Sequence, residues 1–171
     1  MWIVGGSNAM TESQFRVIHV RVTSDRPFTD VQAAFERRLG RFEPDVYQAL
    51  AEGGDPAAVR ARLEAMAGSS GFMLFSTSDH GRLLRIVGQQ RKAVQYVIGN
   101  PLFAVEMTRH AIGAALYVPL RVLIYEADDG KTCIEYDRAS SLFGQFGDER
   151  VDSMAASLDQ KLEDLAATAT R

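Results

Sequence analysis

The chain predicts an α+β fold in two layers, with about five mostly antiparallel strands and long helices covering one face. Three observations carry that prediction. Strand-like alternation and helical spacing follow one another irregularly, so helices do not separate every pair of strands. Asp129-Gly130 stands between two strand-like runs as a two-residue hairpin signal, which makes the closing strands antiparallel. After Asp148 a single apolar stripe, Val151, Met154, Ala155, Leu158, Leu162 and Leu165, marks one long helix capped by that aspartate.

The elements follow in order. Residues 15–23 put Ile18, Val20 and Val22 on one face and Val17, His19 and Arg21 on the other, the alternation of a half-buried strand. Thr29 and Gln32 have the spacing of a capping box, and Val31, Phe35 and Leu39 recur along the helix it opens, which Gly40 ends. Residues 43–70 read as a peripheral helical insertion. Its first short helix stops at Gly53-Gly54, and Asp55-Pro56 caps a second with Val59, Leu63 and Met66 buried. Residues 71–76 form a short apolar strand. From Asp79 to Val87 a hairpin or a two-turn helix fits, with the helix favoured by Leu83, Leu84 and Val87. Residues 90–98 alternate again, with Val94, Tyr96 and Ile98 on one face.

At Gly99-Asn100-Pro101 the chain turns from strand to helix. Proline at 101 pushes Asn100 to the extended region, the conformation an N-cap needs, and Leu102, Val105 and Met107 are expected inward. Residues 114–125 form a long strand with Leu116, Val118, Leu120, Val122 and Ile124 on the core side. Pro119 within it implies an edge or a bulge. Residues 132–137 return as its partner.

Composition excludes several classes. The 171 residues suit one globular domain, with 46% hydrophobic and 24% charged residues and a net charge of −3. Acids and bases are interspersed, so no basic stripe supports nucleic-acid binding. No apolar run approaches the roughly 20 residues needed to cross a bilayer. One cysteine, Cys133, rules out an internal disulfide and reads as a buried thiol. The first residues carry no basic leader, so a cytoplasmic location is expected. Ser7-Asn8-Ala9 before Met10 reads as a cloning scar; residues 1–9 are taken as a tag remnant or an unordered terminus and 10–171 as the domain.

Candidate chemistry is sparse. Asp79-His80 is the strongest acid/base pair, since a neighbouring carboxylate tunes an imidazole near neutrality, although Asp79 is equally a helix cap. His19, His80 and His110 show no ligand spacing, so neither a metal nor a cofactor is expected. Tyr136 to Ser141 end the last strand with a polar cluster that either lines a pocket or anchors a loop.

The runs GFMLFSTSDHG, AVQYVIGNPLFAVEMTRH, LYVPLRVLIYE and IEYDRASSLFGQFGD, followed by the closing amphipathic helix, resemble the domain-of-unknown-function family three-hundred-and-two. The resemblance covers about residues 15–167 and is most specific over 79–148. It implies a compact α+β domain similar to the TATA-binding-protein-like fold, often paired as a homodimer, and no established activity. The family's helix-start motif is commonly Gly-x-Cys-Asn-Pro, and a later strand often carries Pro-Cys. Here those places read Ile98-Gly99-Asn100-Pro101 and Pro119-Leu120, without either cysteine. Asp79, Asn100, Pro101 and Pro119 match as shared positions, and residues 43–70 look like an addition of one branch.

Three readings follow. The first is a homodimeric small-ligand-binding or accessory domain, with Asp79, His80, Asn100, Pro101, Tyr136 and Arg138 meeting in one pocket for a small polar or anionic molecule. The second is an undiscovered enzyme with Asp79 and His80 as acid and base. The third is a structural or protein-interaction module.

Overall fold

A computed structural model describes residues 10–171; the reading of residues 1–9 lies outside them. β1 (His19–Ser24) begins four residues later than expected; Val20 and Val22 lie against the core and His19 and Arg21 on the opposite face, whereas Ile18, expected inward, precedes the strand and is exposed. α1 (Phe28–Glu36) begins earlier than the Thr29 capping box predicts. Pro27, with its φ already near the helical value, precedes it without a side-chain cap, and Gln32 instead donates to Glu36 and to the Tyr96 hydroxyl.

Six strands form the sheet rather than about five. The additional one is β2 (Gly40–Arg41), too short to show any alternation. Gly40 serves this strand instead of ending α1. A Cβ there would fall 1.8 Å from the Met66 carbonyl oxygen, so only glycine permits the approach. α2 (Val46–Ala51) and α3 (Pro56–Met66) follow, the latter capped by Asp55, whose side chain accepts from the Ala57 amide at 3.0 Å. Val46, Val59 and Leu63 make a small separate core with Phe42 and Leu102 packed on it.

β3 (Met73–Asp79) passes into α4 (His80–Leu83) and a 3-10 turn over Leu84–Val87. The expected helix is there, but its apolar side chains point outward: Leu83, Ile86 and Val87 are all exposed. β4 (Ala93–Gly99) buries Tyr96 and Ile98, and α5 (Pro101–Thr108) starts at the Asn100 corner. In α5 Met107 is buried while Val105 is exposed, contrary to expectation. The chain then makes a 3-10 turn over Ile112–Tyr117, and β5 (Leu120–Glu126) starts only after Pro119. Pro119, which cannot donate to a ladder, thus marks the strand's beginning, and Leu116 is left 81% exposed.

β6 (Thr132–Asp137) returns through the Asp129-Gly130 turn, where Gly130 takes a φ of 80° and the Asp129 side chain accepts from the Lys131 amide. α6 (Ala139–Phe143), a short 3-10 turn and α7 (Glu149–Thr170) complete the chain, with Asp148 accepting from the Arg150 and Val151 amides.

The sheet order is β1-β6-β5-β4-β3-β2, antiparallel throughout except for β2 against β3. Tyr96, Ile98, Val122, Ile124, Ile134 and Tyr136 line the inner face, and the α7 stripe of Val151, Ala155, Leu158, Leu162 and Leu165 closes over them with α1 and α6. The opposite face carries His19, Arg21, Glu135, Leu123 and Gln95.

Asn100 fixes the β4–α5 corner with both ends of its side chain. Oδ1 accepts from the Leu102 amide at 2.9 Å, and Nδ2 donates to the Gly71 carbonyl at 2.9 Å, where the chain enters β3. Asn100→Ala should therefore lower stability by about 2 kcal/mol, a lost cap plus a stranded buried carbonyl. A urea midpoint equal to the parent's would contradict this.

Candidate functional site

Antiparallel pairing decides which predicted site residues meet. In the β3–β4 pair Met73 lies opposite Gly99 and Asp79 opposite Val94. Asp79-His80 and Asn100-Pro101 therefore sit at opposite ends of the two strands, about six strand residues or roughly 20 Å apart. The expected single pocket joining them does not form. Both pairs end strands, but the two strands run in opposite directions.

Each of the six residues has a definite setting. Asp79 accepts from the Arg82 amide at 2.8 Å and pairs with the Arg82 guanidinium at 3.3 Å, so its carboxylate is engaged as the cap of α4. His80 is exposed beside it. Tyr136 is buried near the end of β6 under α7, its hydroxyl without a protein partner, and burial raises the phenol. Arg138 follows β6 at the same end of the sheet as Asn100, but its guanidinium donates to Glu163 of α7 at 2.6 Å. Only Asn100 and Pro101 line a concavity with one another.

That concavity has a volume of about 190 Å³. Its base is the strand-to-helix corner, Gly99-Asn100-Pro101, and its walls are Phe72 and Phe75 from the start of β3, Phe103, Ala104, Met107 and Thr108 from α5, and Val118-Pro119 before β5. Tyr47 reaches in from α2. Gly99 gives the space its depth. A Cβ there would lie 3.3 Å from the Pro119 Cβ and 3.5 Å from a Phe75 ring carbon. Phe75 is itself displaced by a bulge, the register slipping between Leu74 and Ser76, and it stacks on Phe42 with centroids 4.3 Å apart.

The corner offers little to an anion. Pro101 has no N–H, and the Leu102 amide is taken by Asn100. The Ala104 amide is taken by the Asn100 carbonyl, leaving only the Phe103 amide in the first turn. Sequence reasoning found Asn100, Pro101 and Pro119 but missed Phe72, Phe75, Phe103 and Tyr47. The signal was present as aromatic residues just before and just after two strand-end corners, but aromatics at such spacing fit a core equally well.

A second polar constellation lies on the outer face of the sheet. His19 contacts Asp137 through Nδ1 at 3.0 Å and Glu135 through Nε2 at 3.2 Å. Glu135 also accepts from Arg21 and, at 2.7 Å, from the Tyr125 hydroxyl. The hydrogen bond to Asp137 raises the His19 pKa, partial burial offsets some of that, and Glu135 adds to it. Burial pushes Glu135 upward, but the bonds from Tyr125, Arg21 and His19 outweigh it and hold the carboxyl below its usual value. The cluster straps β1 to β6.

The family model for the domain of unknown function DUF302 matches residues 48–169, which takes in most of the 43–70 segment and leaves out β1, α1 and β2. The fold is similar to the crystal structure of an uncharacterized conserved DUF302 protein from Bacillus stearothermophilus. The TM-score is 0.62 at 15% identity, over 90% of this chain and 98% of that one. No curated protein sequence matches the chain. Among the described residues no helix is long and apolar enough to cross a membrane.

Because the His19 pKa is raised on folding, the strap's contribution is full below the unfolded value near 6.5 and is lost as pH rises through the folded value. Glu135 gives the opposite limb, present above its unfolded value near 4.5 and lost on acidification. Urea midpoints measured from pH 5.5 to 8.5 should fall more for the parent than for His19→Gln. Parallel curves for the two proteins would show that His19 contributes nothing through its charge.

Proposed function

The chain belongs to the DUF302 family, and from that premise we propose that it is a small-ligand-binding domain whose site is the concavity at the β4–α5 corner. The observation that carries this reading is the pocket's construction. A buried, doubly hydrogen-bonded Asn100 and a glycine hold open a space that aromatic side chains surround without filling. Its position, where a strand hands over to a helix and a loop, is where fold geometry leaves room for binding without disturbing a ladder. Asp79 is engaged in capping α4, which favours binding over acid/base chemistry there.

The homodimer implied by the family resemblance is part of the proposal. The surface that supports it is the outer sheet face, where exposed Leu83, Ile86 and Val87 stand beside Leu123 and Tyr125 of β5. Light scattering should give twice the 18.8 kDa chain mass, and Ile86→Asp should return the mass of one chain. A parent that runs as a monomer at all concentrations removes the dimer.

A thermal-shift screen against small metabolites tests the site. A ligand present at 100 times its Kd stabilises by about 2.7 kcal/mol, a rise in Tm of several degrees for a chain this size. Hydrogen-exchange protection on binding should concentrate on residues 99–108, and Asp79→Ala should bind as the parent does. Hits that protect the Asp79-His80 end instead, or a screen without hits, would overturn this assignment.

A further inference from the structure

Resting on that reading of the corner, we infer that the pocket takes a neutral molecule with one flat apolar ring, rather than an anionic or strongly polar one. Charge decides the first half. No Asp, Glu, Lys, Arg or His lines the space. Burying an unpaired charge there costs far more than the pocket's single open amide returns. The usual attraction of a helix N-terminus for anions is largely spent in this case. Proline occupies the first position of α5, and Asn100 accepts the next amide.

Size and shape decide the second half. The volume of about 190 Å³ lies a little above the 150 Å³ apolar cavity, engineered in another protein, that accepts benzene. It is well below the roughly 300–1,000 Å³ of sites for larger, drug-sized ligands. One ring with a short substituent fills it. The walls suit a ring as well, since Phe72, Phe75, Phe103 and Tyr47 bring four aromatic side chains to one small space. Phe72 and Phe103 meet edge to face at 6.4 Å between centroids, which leaves offset and edge contacts for a further ring between them and Phe75. Thr108 and the Tyr47 hydroxyl are the polar side chains left to meet a hydroxyl or amino substituent, because both polar groups of Asn100 are committed within the fold.

The pocket also has an inner wall that discriminates by size. Gly99, Pro119 and Phe75 approach one another so closely that a single added methyl at 99 would stand within 3.5 Å of both neighbours. A substituent directed at that wall is rejected, whereas one directed toward Ala104 and Thr108 is accepted. Toluene and benzyl alcohol satisfy both conditions; a second fused ring does not.

The test titrates the whole chain with toluene and benzyl alcohol, and in parallel with benzoate and benzylammonium, following backbone amide resonances by NMR. The expected result is saturable shifts at Gly99, Phe103 and Ala104 with the neutral compounds, and at least tenfold weaker binding of both charged ones. Ala104→Leu, which fills the mouth with a good helix former, and separately Gly99→Ala should each weaken toluene binding at least tenfold while keeping a parent-like amide spectrum. Benzoate binding at those amides as tightly as toluene overturns the ligand class and leaves the corner standing as a binding site. Failure of every probe, charged or neutral, to reach those amides removes both. Toluene binding that neither variant weakens places it elsewhere and also overturns the inference.

Discussion

Antiparallel pairing of β3 with β4 is the constraint from which the arrangement of this protein follows. It sets Met73 against Gly99 and Asp79 against Val94, so the polar corner that begins α4 and the corner that begins α5 face opposite ends of the sheet. It also brings the entry to β3 beside the exit from β4, and Asn100 seals that junction by bonding both the Leu102 amide and the Gly71 carbonyl. Apart from Tyr47, every aromatic wall of the pocket hangs from one of these two strand ends or from the helix that follows. A reversed β3 would have placed Asp79 and His80 beside Asn100 and produced a polar concavity. The register gives an apolar one.

The corner shows how a cavity persists against close packing. Interiors normally fill to crystal density, and an empty apolar space forfeits dispersion contacts along its lining. Here the surrounding groups cannot collapse into it. Pro101 and Pro119 have fixed backbones, Phe75 is held by stacking on Phe42, and Asn100 is tethered from both ends. These rigid parts keep the concavity open. Tyr47 comes from the 43–70 segment, and Leu102 of α5 packs on that segment's own small core, so a part that reads as peripheral lines the concavity directly.

The two faces of the sheet answer to different physics. The inner face is held by burial of the α7 stripe, a term that scales with apolar area and changes little with pH. The outer face is held by the His19, Asp137, Glu135, Arg21 and Tyr125 network, exposed in part and responsive to protons and salt. β1 belongs to both. Val20 and Val22 anchor it inward, and His19 and Arg21 strap it outward to β6, which is why an edge strand beyond the family-matched residues stays in the sheet.

Much of this was legible in the sequence by itself. Local chemistry determined the Asp55-Pro56 and Asn100-Pro101 caps, the Asp129-Gly130 turn, the α7 stripe and the α+β class, because each depends on neighbours within one or two turns of chain. Sequence distance hid the rest. Gly40 reads as a helix stop, yet its requirement comes from Met66 and Gly68, and β2 is too short to show a period. Leu116 and Val105 read as core, yet no second layer covers them. Tyr136 and Arg138 read as a rim, but α7 lies over the first and supplies Glu163 to the second. Only the tertiary structure decided which strand ends meet and which side chains line a space, because register and cavity shape are set by long-range pairing that no local pattern encodes.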